Sequence, residues 1–273
     1  MFGAIDIGGT KTLLATFDDS GNLINSIKFK TPDSYKDFRK QLENSYTSLG
    51  SPSLKFVCTA CPGRLNRNKG IGIAFGNLSW VNIPVRDDQE KLFKCPVIIE
   101  NDAKLAGLYE AVQLGKKYKK VFYLTVSTGI GGALIINDKI DTNFQDIEPG
   151  QILLEHDGEL QRWEYFASGK AITQKYNQQA SEITDENVWK DIAHNIAIGL
   201  IDVIAICNPD LVIIGGGVGA HLEKFIDTLN SDLKVYQNPL IIIPPVKQAK
   251  NAEEAVIYGC YLNSRIYYDK TSN

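Results

Sequence analysis

Apolar residues along this chain fall into short continuous or alternating runs, separated by stretches in which they return every three or four positions. Runs of the first kind at Phe2 to Ile7, Leu13 to Phe17, Leu23 to Phe29, Leu54 to Thr59 and Val97 to Ile99 predict strands in the first half. Tyr35, Phe38, Leu42 and Tyr46 line one face of a helix between the third strand and the fourth. The second half predicts strands at Val121 to Thr125, Ala133 to Ile136, Leu211 to Ile214 and Leu240 to Ile243. Its helices are placed at Asn187 to Cys207, Ala220 to Leu233 and Ala252 to Tyr267. Strands alternating with helices predict an α/β fold. No Gly-, Ser- or Pro-rich linker divides the chain, so domain boundaries must follow from the order of elements.

Composition narrows the classes. With 273 residues, 44% of them hydrophobic, the chain can build one large or two medium domains with proper cores. A formal net charge of −3 offers no basic footprint, so nucleic acid is not an expected partner. The most apolar helical stretch, Ile196 to Cys207, is interrupted by Asp202 and is too short to span a bilayer. The first strand carries Asp6 and lacks the basic-then-apolar order of a signal peptide, and the expectation is a soluble, cytoplasmic protein with no membrane partner. Five scattered cysteines fit a reducing compartment. Cys58 and Cys61 form a Cys-x-x-Cys pair with no second pair at metal-ligand spacing, and Pro62-Gly63 after it reads as a turn.

Two glycine-rich hairpins add chemistry. Asp6-Ile7-Gly8-Gly9-Thr10-Lys11 joins the first two strands, and Ser127-Thr128-Gly129-Ile130-Gly131-Gly132 joins the first two of the second half. Such turns let backbone amides approach a ligand without a Cβ in the way, so both can cradle phosphate oxygens. Their similar flanks suggest that one unit begins each half of the chain. Between them, Glu100-Asn101-Asp102 ends a strand and opens an Ala/Leu-rich helix. The amides and dipole of that first turn are expected to keep the Asp102 carboxylate ionised, as a general base requires. A third stretch, Gly215-Gly216-Gly217-Val218-Gly219-Ala220, also satisfies a loose dinucleotide fingerprint. The next strand ends in Pro244-Pro245 where a ribose-binding acid would stand, and no P-loop occurs, so a nicotinamide enzyme is disfavoured.

With Asp6 to Lys11, Glu100-Asn101-Asp102-Ala103, Ser127 to Gly132 and Ile214 to Val218 in that order, the chain resembles the ROK-family sugar kinases, from Gly3 to the final helix near Tyr261. That family belongs to the actin, Hsp70 and hexokinase superfamily. The resemblance implies two RNase H-like (actin-like ATPase) domains with an interdomain cleft for both substrates. Residues 1–112 plus 252–273 would form the small, discontinuous N-terminal domain and residues 113–251 the large C-terminal one. It implies ATP and Mg2+ as cofactors, a hexose as substrate, and a homodimer as a possible assembly.

The implied site follows residue by residue. Asp102 is the catalytic base, and Asp6 contacts Mg2+ through water. Gly8, Gly9, Thr10, Lys11, Thr128, Gly129, Gly131, Gly215, Gly216 and Gly217 hold the nucleotide. The family's sugar segment, Glu-x-Gly-His and then a Glu before Ala-Ser-Gly, reads here Glu148-Pro149-Gly150-Gln151 and then Glu164 before Ala167-Ser168-Gly169. Glu148 and Glu164 carry over as a buried pair of sugar contacts, joined by Asn101, Gly63 and Asn77. Gln151 takes the place of a histidine that in the family contacts sugar and often ligates a structural zinc. Gln is a poor zinc ligand and no Cys lies between Gln151 and Glu164, so no structural zinc is expected. Trp80 is read as a packing anchor, Arg64 as a surface charge, His156 as a solvated-loop residue, and His194 and His221 as helical residues without a special role. Glucose phosphorylated at the 6-hydroxyl is the leading reading. N-acetylmannosamine, N-acetylglucosamine and fructose stay open, as do polyphosphate as donor and a catalytically inactive, sugar-responsive regulator.

Overall fold

The structure, a computed structural model, describes residues 1–251 and 254–271. Contacts group the chain into two compact units, Met1–Tyr109 with Glu253–Asn273, and Glu110–Ala252. Ala252, where the sequence pattern starts the final helix and the second part of the first domain, lies outside the described residues. The helix itself is described as Ala255–Thr271.

The first unit is built on a five-stranded sheet. Its strands are β1 (Phe2–Ile7), β2 (Lys11–Phe17), β3 (Leu23–Lys30), β4 (Phe56–Cys61) and, after three shorter strands, β8 (Val97–Asn101). The order is β3-β2-β1-β4-β8. β1, β2 and β3 form an antiparallel meander, and β4 and β8 join in parallel. Every residue of β4 is buried, because helices cover both of its faces, whereas β3 at the edge is largely exposed. The helix α1 (Tyr35–Ser48) starts at Ser34, whose hydroxyl accepts from Asp37 N, and buries Phe38, Leu42 and Tyr46.

The remaining strands of this unit, β5 (Arg64–Asn66), β6 (Ile71–Phe75) and β7 (Leu78–Ile83), form a separate three-stranded sheet that the hydrophobic pattern does not predict. Their runs are short and bulged, so alternation has little length in which to show. Trp80 is 3% exposed, packs its ring against Phe38, Tyr35 and Phe75, and donates from Nε1 to Asp33 O at 2.8 Å. The helix α2 (Val85–Phe93) leads to β8, and α3 (Asp102–Val112) leaves it.

The second unit repeats the first sheet's plan. Its strands β9 (Lys120–Val126), β10 (Ile130–Ile136) and β11 (Lys139–Ile140) form an antiparallel meander. A hairpin follows, β12 (Leu153–His156) and β13 (Glu159–Arg162). Next come the helices α4 (Trp163–Ala167), α5 (Gly169–Tyr176) and α6 (Glu186–Cys207). After the strand β14 (Leu211–Gly215) come the short helix α7 (Gly216–Gly219) and α8 (Ile226–Val235), then the strand β15 (Val246–Gln248). The sheet order is β11-β10-β9-β14-β15, with β14 and β15 parallel to β9 and to each other in turn. Around it, α6 and α8 enclose a core of Trp163, Trp189, Phe122 and Phe225.

Two expectations fail here. Leu240 to Ile243 is no strand: it makes a single bridge, Asn238 with Ile241, and Leu240 is 93% exposed. The sheet gains its edge strand only after Pro244-Pro245, whose nitrogens cannot donate to a ladder, and Pro245 contributes its carbonyl to Val212 N at 3.0 Å. Ala220 to Leu233 is not one helix either. Phe225 leaves helical geometry at φ −136° to bury its ring in stacked contact with Trp189, and packing there outweighs helix continuity.

Gly259 of the closing helix sits directly against the backbone of Leu105 in α3, where a Cβ would overlap the Leu105 carbonyl. Gly259→Ala is expected to lower stability by about 1–3 kcal/mol, since no rotamer relieves a clash with backbone; urea unfolding measures it, and an unchanged midpoint would contradict the packing.

Candidate functional site

The junction of β8 and α3 is fixed by its own side chains. Asn101 Oδ1 accepts from Ala103 N at 3.0 Å and Lys104 N at 3.4 Å, which caps the helix, while Nδ2 donates to Gly63 O at 3.3 Å. Most of the Asn101 amide is therefore engaged by the fold, tying α3 to the turn at Gly63, where φ is +89°. One residue earlier, both oxygens of buried Glu100 accept from Arg67 Nε at 2.9 Å, and Oε1 also accepts from Asn101 N at 2.7 Å. Arg67 was not legible as a site residue. It stands in a turn far along the chain, and no local pattern announces its partner.

Asp102 follows this clamp. Its Oδ1 accepts from Ala103 N at 2.8 Å, which favours the ionised form. Burial is the larger effect, and the Asp102 carboxyl is held above its ordinary range. Desolvation thus outweighs the Ala103 amide in setting the direction of the shift.

Asp6 lies nearby on the same sheet, in register with Leu13 of β2 and Ala60 of β4. Its carboxyl is pushed up to about 7, first by burial and then by the Asp102 charge, with Lys28 pulling it down. The hairpin after Asp6 is closed at its base. Gly8 N donates to Lys11 O at 3.0 Å, Thr31 Oγ1 donates to Gly8 O at 2.7 Å, and Thr31 N donates to Thr10 O at 3.0 Å. Gly9, Thr10 and Lys11 remain exposed at the tip, and Asn77, also exposed, stands 3.5 Å from where a Gly9 Cβ would be.

In the second unit the turn between β9 and β10 is held by Ser127 N to Gly129 O at 2.9 Å, with Thr128 exposed and Gly131 paired with Thr125. Gly169 N, at the start of α5, donates to Ser127 O at 2.6 Å. Gly215 and Gly216 abut the same strand: the Gly215 Cβ position is filled by the Tyr123 ring, and Gly216, at φ +82°, leaves 2.7 Å to Thr125 Oγ1. Gly217 faces open space.

The sugar segment is only partly as expected. Gln151 Nε2 donates to Glu164 Oε1 at 2.7 Å, which brings those two together. Glu164 is half-buried, but Glu148, at the start of the one-turn helix Pro149–Gln151, is exposed, so the two acids are not a buried pair. His156 is not in a solvated loop. It ends β12, stacks on Phe166 with ring centroids 4.1 Å apart, and lies 3.1 Å from Asn195 Oδ1. Arg64 is exposed. The cysteines are free, with Cys58 and Cys61 buried. Among the described residues no group of three or more His, Cys, Asp or Glu side chains could hold a metal ion, and no helix is long and apolar enough to cross a membrane.

The raised Asp6 value sets a pH dependence. Between its ordinary 3.8 and about 7 the folded chain binds more protons than the unfolded one, so the stability cost of an ionised Asp6 is absent at low pH and complete above about 7. Asp6→Asn is expected to raise stability at about pH 8, by up to about 4 kcal/mol, with the gain vanishing as pH falls toward about 4. Thermal unfolding across that range, without nucleotide, measures it; a gain independent of pH would contradict the assignment.

A model of the ROK family matches residues 2–262. The N-acetylmannosamine kinase of Vibrio cholerae is 30% identical over 286 residues, covering 94% of this chain and 96% of that relative. The glucokinase of Streptomyces coelicolor is 24% identical over 273 residues, covering 84% and 86%. Among solved structures, a ROK family glucokinase from Streptomyces griseus in complex with glucose and AMPPNP superposes with a TM-score of 0.79 at 22% identity, covering 97% of this chain and 99% of that one, a likeness of fold. A family match across nearly the whole length, and a relative this similar over the same span, place the chain in the ROK family.

Proposed function

We propose that this sugar kinase transfers the terminal phosphoryl group of ATP to a hexose, glucose at its 6-hydroxyl, with Asp102 as general base. The observation that carries the reading is the Asp102 carboxyl, fixed at the start of α3 and held above its ordinary range by burial. A raised value makes it a stronger acceptor for the proton of an attacking hydroxyl. The clamp formed by Arg67, Glu100 and Asn101 fixes where that carboxyl stands, so geometry supplies positioning and burial supplies basicity.

The exposed tips at Gly9-Thr10-Lys11 and at Thr128, with half-buried Gly129 beside it, offer backbone nitrogens to phosphate oxygens, and Gly215, Gly216 and Gly217 supply a wall for the nucleoside. Asp6 fits a contact to Mg2+ through water: a carboxyl pushed up by burial and by a second carboxylate gains from a nearby cation, and Mg2+ commonly keeps its waters and needs few protein ligands. When bound, Mg2+ neutralises charge on the phosphates. On the sugar side, Glu164 with Gln151, exposed Glu148, and Gly63, Asn77 and Asn101 are the candidate contacts. The Vibrio cholerae relative supports a second reading, N-acetylmannosamine as substrate.

Release of ADP with Mg-ATP against glucose, N-acetylmannosamine, N-acetylglucosamine and fructose tests the reading, and turnover with none of them would sink it. Asp102→Asn keeps the acceptor for Ala103 N and removes the base, so kcat is expected to fall by about a hundred- to ten-thousandfold while the sugar KM moves far less. A variant retaining full kcat would overturn the assignment of Asp102.

A further inference from the structure

Both carboxylate oxygens of Glu164 have defined neighbours, and one of them is hydrogen-bonded. Oε1 accepts from Gln151 Nε2 at 2.7 Å. Oε2 fills a space beside two glycines: a Cβ built on Gly129 would stand 2.9 Å from it, and one on Gly150 would stand 3.1 Å away. Neither glycine has a positive φ, so both are needed for room and not for backbone conformation. Gly129 belongs to the second glycine hairpin, and Gly150 to the one-turn helix that carries Gln151. That hairpin is also tied to the start of α5, just beyond the helix that carries Glu164, through Gly169 N and Ser127 O.

The chemistry of the pair assigns its direction. A carboxylate only accepts, so the Gln151 amide must turn its NH2 group toward Glu164. The amide stays neutral and is a poor metal ligand, so this position retains hydrogen bonding and nothing else of what a histidine could do. A glutamate side chain otherwise samples several rotamers, and one hydrogen bond to a charged group is enough to select one.

We infer that Gln151 is a positioning residue: it pins the Glu164 carboxylate against Gly129, so that a single side chain sets both the sugar-contacting acid and one wall of the phosphate-gripping hairpin. This rests on the proposed reading of Glu164 as a sugar contact. Freed from Gln151, Glu164 can swing away from Gly129, and sugar binding suffers more than the chemical step. Gly129→Ala produces the same displacement from the other side, because the added methyl meets the movable end of Glu164 and not backbone.

The test is steady-state kinetics with Mg-ATP and either glucose or N-acetylmannosamine, on Gln151→Ala, Gln151→His, Gly129→Ala and Glu164→Gln. Gln151 is exposed, so its replacement leaves the fold intact. Gln151→Ala is expected to raise the sugar KM about ten- to hundredfold, the worth of one hydrogen bond to a charged group, with kcat changed less. Gln151→His, whose ring N–H can also donate to Glu164, is expected to recover most of that loss, and Gly129→Ala to raise the sugar KM without lowering the melting temperature. If Glu164→Gln raises the sugar KM and Gln151→Ala does not, the positioning role is overturned while the reading of Glu164 stands. If neither moves the sugar KM, Glu164 is not a sugar contact and both fall. A Gln151→Ala variant that loses kcat and melting temperature together would show a merely structural role.

Discussion

Burial of carboxyl groups is the constraint on which the rest of this site depends. Asp6 and Asp102 stand on one sheet and the helix that leaves it, close enough for one to raise the other, and both are desolvated. Water would erase that coupling. The fold therefore spends other side chains on holding the junction still. Arg67 forks onto Glu100, Glu100 accepts from the Asn101 amide nitrogen, and Asn101 caps α3 while reaching Gly63. Removing one partner of a buried pair such as Arg67 and Glu100 leaves an uncompensated charge, so such a clamp is rigid in a way a surface pair is not.

The two sheets reach the same order by the same route, an antiparallel meander whose first turn is glycine-rich and whose first strand is joined in parallel by later ones. The repeated order gives physical content to the similar flanks of the two hairpins. In each, hydrogen bonds close the base and leave the tip open, which is the arrangement an anion-binding turn needs. The units differ in what they place beside that turn: the Asp6 carboxyl of β1, raised by burial, in the first, and Glu164, hydrogen-bonded by Gln151, in the second.

Much of this was legible from the chain. Internal strands, such as those read at Leu54 to Thr59 and Leu211 to Ile214, announce themselves because they are covered on both faces. The glycine turns and Trp80 as an anchor follow from local stereochemistry and size. The three-stranded sheet of β5, β6 and β7 was not legible, because its strands are too short to carry a period. Nor was the break at Phe225, where a distant tryptophan decides a backbone angle.

The sequence by itself determined the family and the α/β class, because these rest on residue type, order and local periodicity. Tertiary structure alone decided the state of the candidate residues. Whether Asp102 is held low by a helix or high by burial, whether Glu148 is sunk or exposed, and whether His156 is solvated or stacked are questions of environment. Desolvation and contact are properties of what surrounds a side chain, and the surroundings of Asp6, Arg67 and Glu164 come from residues far away in the chain.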